Sequence, residues 1–128
     1  MHVLDASALM AVILDEPGAD VVLGVDRGSE INILNVAEVM TSVVERGGDP
    51  TKVDALINRL HLRVRAYRDY HAIEGAKLRP LTKHLGLGLS DRTCLVQAMG
   101  SGLPVLTGDH KCAELDIGVE VQLIRERR

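Results

Sequence analysis

Residues 2–14 read His-Val-Leu-Asp-Ala-Ser-Ala-Leu-Met-Ala-Val-Ile-Leu. The apolar run 2–4 is a short buried strand that Asp5 ends. Residues 6–14 read as a helix with Asp5 or Ser7 near its start, stopped before Pro17-Gly18. The same alternation continues outward. A second helix is expected over 19–27, and the Ile-rich run Glu30-Ile31-Asn32-Ile33-Leu34 reads as a strand. Asn35 then caps a helix over 36–46 that ends at Gly47-Gly48. Asp49-Pro50-Thr51 opens a further helix, with Val53, Leu56, Ile57 and Leu60 at helical spacing. Residues 62–66 alternate like an edge strand, and 68–84 read as a long basic helix that Pro80 breaks or kinks.

After a Gly-loosened loop at 85–89, Ser90-Asp91 starts a helix with Cys94, Leu95, Ala98 and Met99 facing inward, ended at 100–102. Residues 103–106 are a strand followed by Thr107-Gly108-Asp109, 110–115 make one helical turn, and 119–124 give a last strand. Short apolar strands separated by helices imply an α/β domain with a mostly parallel sheet and helices on both faces. With 128 residues, the chain reads as one domain spanning 1–128.

Apolar residues make up 46% of the chain, which excludes a disordered segment. There is no Phe or Trp, and the aromatic rings are Tyr67 and Tyr70, so base-stacking platforms are nearly excluded. The net charge of −3 is unevenly placed. Residues 1–58 carry three basic and ten acidic residues, 59–84 seven and two, and 85–128 five and six. The basic middle reads either as a solvated helix face or as a set of phosphate contacts made by Arg59, Arg63, Arg65, Arg68, Lys77, Arg79 and Lys83. Cys94 and Cys112 read as two free buried thiols of a reducing compartment. The start lacks the pattern of a secretory signal, and no apolar run is long enough to span a membrane, so a soluble cytoplasmic protein is expected.

In parallel α/β sheets, ligands bind beyond the carboxyl ends of the strands. Asp5 follows Val3-Leu4, Asp109 follows Val105-Leu106-Thr107-Gly108, Glu38 sits one turn into the helix after the second strand, and Asp91 opens the helix leading to residues 103–106. All four positions fall on that edge. Each also has a local role open to it. Asp5 and Asp109 can cap helices, Asn35-x-x-Glu38 has capping-box spacing, and Asp91 complements a helix dipole. Together, however, converging carboxylates repel unless a cation neutralises them. Hard oxygen donors suit Mg²⁺ or Mn²⁺ rather than zinc, and such a centre suits phosphoryl chemistry. The histidines (His2, His61, His71, His84, His110) are scattered and read as surface residues rather than ligands.

The segments Asp5-Ala6-Ser7-Ala8-Leu9, Asn35-Val36-Ala37-Glu38-Val39, Leu87-Gly88-Leu89-Ser90-Asp91-Arg92-Thr93-Cys94-Leu95 and Val105-Leu106-Thr107-Gly108-Asp109 resemble, in order, the four acidic motifs of PIN-domain nucleases. Their spacing over the whole chain is similar to that of VapC toxins of prokaryotic toxin–antitoxin pairs. The resemblance implies a sheet order of 3-2-1-4-5 in a three-layer fold, and a metal-dependent endoribonuclease acting on RNA as a growth-inhibiting toxin. It implies that Asp5, Glu38, Asp91 and Asp109 are catalytic and hold Mg²⁺ or Mn²⁺, with Ser7 and Thr107 beside them orienting ligands or a phosphate oxygen. It further implies a VapB-like antitoxin partner and a homodimer. The chain departs from many relatives in having Ser90 where they have Gly, and Cys112 where some have a further acid.

Other classes fit less well. A receiver domain needs an adjacent acidic pair after its first strand, but Asp5 stands alone. A haloacid-dehalogenase-type phosphatase wants Asp or Thr where Ser7 stands. A PIN-like module that binds RNA or protein without cutting predicts the loss of an acid, and all four are present.

Overall fold

The computed structural model describes residues 1–126. Five strands, β1 (Val3–Leu4), β2 (Glu30–Asn32), β3 (Arg63–Arg65), β4 (Val105–Thr107) and β5 (Val121–Leu123), form one sheet in the order β3-β2-β1-β4-β5. Every neighbouring pair is parallel, which needs crossover connections, made by helices except between β4 and β5, where the 3₁₀ turn 110–114 serves. The helices are α1 (Ala6–Ile13), α2 (Ala19–Leu23), α3 (Ile33–Glu45), α4 (Thr51–Arg59), α5 (Asp69–Lys77), α6 (Arg79–Thr82) and α7 (Leu89–Ser101). Short 3₁₀ turns follow at Lys83–Leu85 and His110–Glu114. Among the described residues, no helix is long and apolar enough to cross a membrane.

Consecutive strand residues face opposite sides of the sheet, and the chain uses both sides. Leu4, Ile31 and Leu106 join Leu9, Val36, Val39, Val53 and Ile57 in one apolar cluster, under α1, α3 and α4. Val3 and Val105 join Leu78, Leu87, Cys94 and Leu95 in another, under α7 and the α5–α6 segment. The expected three-layer α/β arrangement and strand order are therefore observed, with aliphatic side chains doing the filling.

The differences from the sequence reading are local. The second strand stops at Asn32, and Asn32, not Asn35, caps the next helix: its side chain accepts from the Leu34 amide at 3.0 Å. Asn35 lies two residues inside that helix, fully buried, and donates to Ser90 O at 3.0 Å. The capping-box reading of Asn35 and Glu38 therefore fails, because the chain turns helical as soon as it leaves the short strand. The helix expected over 68–84 is divided into α5, α6 and a 3₁₀ turn, with Pro80 in the first turn of α6, where its missing amide costs least. Met99 is exposed rather than inward.

His71 is buried, against the expectation of a surface residue. Its Nδ1 accepts from the Arg68 amide at 3.0 Å, and its Nε2 is 2.9 Å from Gln97 Oε1. The same Gln97 oxygen accepts from Asn32 Nδ2 at 3.2 Å, while Gln97 Nε2 donates to the buried Glu30 carboxylate at 2.8 Å. Polar groups shut away from water must find partners within the fold, and this network ties β2, α5 and α7 together.

Asn32 serves the α3 cap, Ala66 O and Gln97 at once. Replacing it with Ala should destabilise the protein by about 2–4 kcal/mol, the sum of a lost cap and stranded buried partners. The urea-unfolding midpoint measures this; a variant as stable as the parent would show that the network carries no weight.

Candidate metal and nuclease site

Asp5 is the first residue after β1 and the N-cap of α1, 3% exposed. Its Oδ1 accepts from the Ala8 amide at 3.0 Å and from Ser7 Oγ at 2.7 Å. Its Oδ2 accepts from Thr107 Oγ1, the last residue of β4. The two hydroxyls are themselves held by the next turn of chain. Gly108 N donates to Ser7 Oγ, and Asp109 N donates to Thr107 Oγ1, both at 2.9 Å. Each hydroxyl spends its single proton on the Asp5 carboxylate, so their mutual 3.1 Å approach is packing rather than a further bond. Ser7 and Thr107 are thus the clasp between the β1–α1 and β4 turns.

The other three acids approach from different elements. Glu38 lies on α3 and accepts from Ser90 Oγ at 2.6 Å. Asp91 lies in the first turn of α7 and accepts from the Gly88 amide at 2.9 Å, satisfying the N–H just ahead of that helix. Asp109 caps the 3₁₀ turn, accepting from the Lys111 amide at 3.0 Å. Asp5, Glu38, Asp91 and Asp109, with Ser7, Met10 and Ser42, line one cleft of about 300 Å³ at the carboxyl edge of the sheet. No Lys, Arg or His is among the described residues that line it.

The electrostatics follow from this placement. Burial pushes the Asp5 carboxyl up from 3.8 to about 6, against the opposing pull of its three hydrogen bonds, and the charge of Asp91 adds to the rise. Burial also raises Asp91; Glu38 and Asp109 push the same way, while the Gly88 amide and Lys111 pull it down. The thiols feel the same field. Cys94 and Cys112 are unpaired and buried. Burial pushes Cys112 up to about 12, with Asp5, Asp91 and Asp109 adding to it, and holds Cys94 well above its ordinary value. Both thiols stay protonated and unreactive at neutral pH.

As they stand, no three His, Cys, Asp or Glu side chains among the described residues are arranged to hold a metal ion. Each acid is turned toward a local donor instead, so the capping roles and the shared cleft coexist. The donor chemistry nevertheless fits a hard divalent cation. The cleft presents carboxylate and hydroxyl oxygens, and two of the carboxyls are raised by burial and by their neighbours' charge.

The sequence reading missed Ser42, Met10 and the Ser90–Glu38 bond. Ser42 was legible in principle, because it follows Glu38 by one helical turn and so shares its face. The Ser90–Glu38 contact joins two helices and has no signal along the chain. Arg59, Arg63, Arg65, Arg68, Lys77, Arg79 and Lys83 are all exposed. None of them lines the acidic cleft. They decorate α4, the edge strand β3, and the α5–α6 segment; Lys77 is paired with Glu74 at 3.2 Å, and Arg79 donates to Leu87 O at 3.2 Å.

A carboxyl whose native pKa lies above its unfolded one favours the native state when protonated. Its stabilising contribution is full below 3.8 and is lost as pH rises through about 6. Asp5→Asn should therefore gain stability over the parent as pH rises from about 4 to about 7 in chelator, with a change in the gap on the order of 3 kcal/mol. Urea titrations at a series of pH values test this, and a gap that does not move with pH would refute it.

The sequence profile of the PIN domain family matches residues 2–118. No curated protein matches the chain. Among solved structures, a toxin–antitoxin complex from Klebsiella pneumoniae superposes with a TM-score of 0.75 at 18% identity, covering 93% of this chain and 95% of that one. DNA-bound VapBC from Salmonella typhimurium gives 0.71 at 18% identity, covering 97% and 98%. Mycobacterium tuberculosis VapC20, described as a sarcin–ricin-loop-cleaving toxin, gives 0.70 at 14% identity, covering 94% and 99%. At such identities the superpositions establish a shared fold, and the profile match over nearly the full length establishes the rest: the chain belongs to the PIN domain family.

Proposed function

We propose that this chain is a metal-dependent endoribonuclease and the toxin of a type II toxin–antitoxin pair. The observation that carries the reading is the acidic cleft, where Asp5, Glu38, Asp91 and Asp109 from four separate elements share one concavity with no basic side chain among its described lining residues. Those four are the proposed catalytic residues and ligands of Mg²⁺ or Mn²⁺. A divalent ion bound there would neutralise a phosphodiester and lower the pKa of an attacking water.

The chain's own residues supply the rest. Ser7 and Thr107 fix both oxygens of Asp5, so that carboxylate is oriented before anything binds. Ser90 steadies Glu38, the acid most free to swing on its stem. The Gly88 amide stabilises the charged form of Asp91 at the positive end of α7.

The fold shared with a toxin–antitoxin complex and with VapBC supports a VapB-like antitoxin partner. Exposed apolar side chains Ile13, Val21 and Leu23 on and beside α1 and α2 offer it, or a second copy in a homodimer, a surface to cover. Residues 1–128 are proposed to act as one cytoplasmic domain, with the basic segment 59–84 contributing to RNA backbone affinity at a distance from the cleft.

Purified chain freed of any antitoxin should cleave RNA with Mg²⁺ or Mn²⁺, leaving 5′-phosphate and 3′-hydroxyl ends, and EDTA should abolish the cleavage. Asp5→Asn and Asp91→Asn should each lower the rate by about a hundredfold or more, as loss of positioned electrostatic groups does. Cleavage that persists in EDTA, or that leaves cyclic phosphate ends, would contradict the reading. RNA binding with no cleavage of any RNA would favour the non-catalytic module.

A further inference from the structure

The chain after β5 is laid across two glycines. A Cβ on Gly18 would sit 2.6 Å from Ile124 O and 2.7 Å from Ile124 Cγ1. A Cβ on Gly108 would sit 2.8 Å from Arg125 Nη2 and 3.1 Å from Arg125 Cζ. Gly18 has φ +97°, so its backbone alone asks for glycine. Gly108 has no positive φ. What its missing side chain makes room for is the guanidinium.

The segment is also pinned. Ile124 is 5% exposed and belongs to the cluster around Leu4, Leu9 and Leu106. Its amide donates to Thr107 O at 2.9 Å, which fixes its register beside the Asp5 clasp. The two terminal nitrogens of Arg125 then have separate surroundings. Nη1 donates to Pro17 O at 3.1 Å and stands 3.9 Å from Glu16 Oε1, too long for a charge-assisted hydrogen bond. Nη2 is directed at Gly108, whose amide donates to Ser7 Oγ, which in turn donates to Asp5.

Arg125 and His110 line a cleft of about 320 Å³ together with Glu16, Gly108 and Glu126. Gly108 and His110 of this cleft flank, along the chain, Asp109 of the acidic cleft. A pocket of carboxylates repels a polyanion; none of its described lining residues is basic, and Lys111, whose charge pulls Asp91 down, acts from outside that lining.

We propose that Arg125 is a phosphate-binding residue, holding an RNA backbone phosphate adjacent to the one presented to the carboxylates. This rests on the reading that the chain acts on RNA. A guanidinium presents a planar fork of donors that matches two phosphate oxygens, and it stays charged at every relevant pH. Glu16 keeps the side chain in place at a distance that an incoming phosphate can outcompete, and Gly108 lets the fork lie flat against the chain next to Asp109.

The test is an anisotropy titration of a short labelled single-stranded RNA on the full chain carrying Asp5→Asn, which on this reading binds without cutting. Adding Arg125→Gln should weaken binding about tenfold and lower the slope of log affinity against log salt by about 0.7, the loss of one phosphate contact. Arg125→Lys should keep the slope and recover only part of the affinity. Gly108→Ala should reproduce the loss with a nearly unchanged thermal midpoint, because only the end of a flexible side chain has to move. Combining it with Arg125→Gln should add nothing further, since both act on one contact. If Arg125→Gln fails to fold, Gly108→Ala alone carries the measurement.

Unchanged affinity and slope in Arg125→Gln overturn the proposal. If the unmodified chain cleaves RNA while Arg125→Gln binds like its parent, the nuclease reading stands and this one falls. If binding depends on Arg125 but the unmodified chain never cleaves, the reverse holds. A parent that binds no RNA overturns both.

Discussion

The structure turns on one buried carboxylate. Asp5 ends the central strand with its side chain almost wholly removed from water, which is costly for a charge. The fold meets that cost with three donors: the Ala8 amide of its own helix start, the Ser7 hydroxyl in the same first turn, and Thr107 from the neighbouring strand. Those bonds fall short of full compensation, since the carboxyl still titrates near 6. The same bonds close β1 against β4, because the hydroxyls accept from Gly108 N and Asp109 N. The acid at the centre of the proposed site is thus also the residue that locks the two strand ends into register.

In the remaining acids, capping and the proposed ligand role fall on the same atoms. Asp91 and Asp109 satisfy amides at the starts of α7 and the following 3₁₀ turn, as local sequence rules suggest. Yet those starts all lie at the carboxyl edge of one parallel sheet, so satisfying each helix separately also assembles a shared acidic cleft. A capping bond and a ligand role are therefore not competing explanations. The caps hold the carboxylates in place at the rim, and the parallel topology brings the rims together.

Charge is organised by distance. The acidic cleft excludes basic side chains from its described lining, while the basic residues of 59–84 sit out on the edge strand and the α5–α6 layer. Lys111 acts on Asp91 from the 3₁₀ turn after β4, and Arg125 lines a second cleft, carried there by residues 124–125 lying over Gly18 and Gly108. Along the chain Arg125 is one of a run of charged residues, and its place over Gly108 is fixed by packing.

Pattern along the chain carries the alternation of elements, the parallel sheet with helices on both faces, and the edge on which Asp5, Glu38, Asp91 and Asp109 fall. These follow from short-range periodicity and from the handedness of strand–helix–strand units, both of which are written in neighbouring residues. Tertiary structure decided the rest. That His71 is buried against Gln97, that Ser90 holds Glu38, and that Arg125 lies on Gly108 all depend on atoms from segments far apart in the chain. A side chain's partner across the fold is fixed by packing and by the need to satisfy buried polar groups, and neither leaves a periodic mark in the sequence.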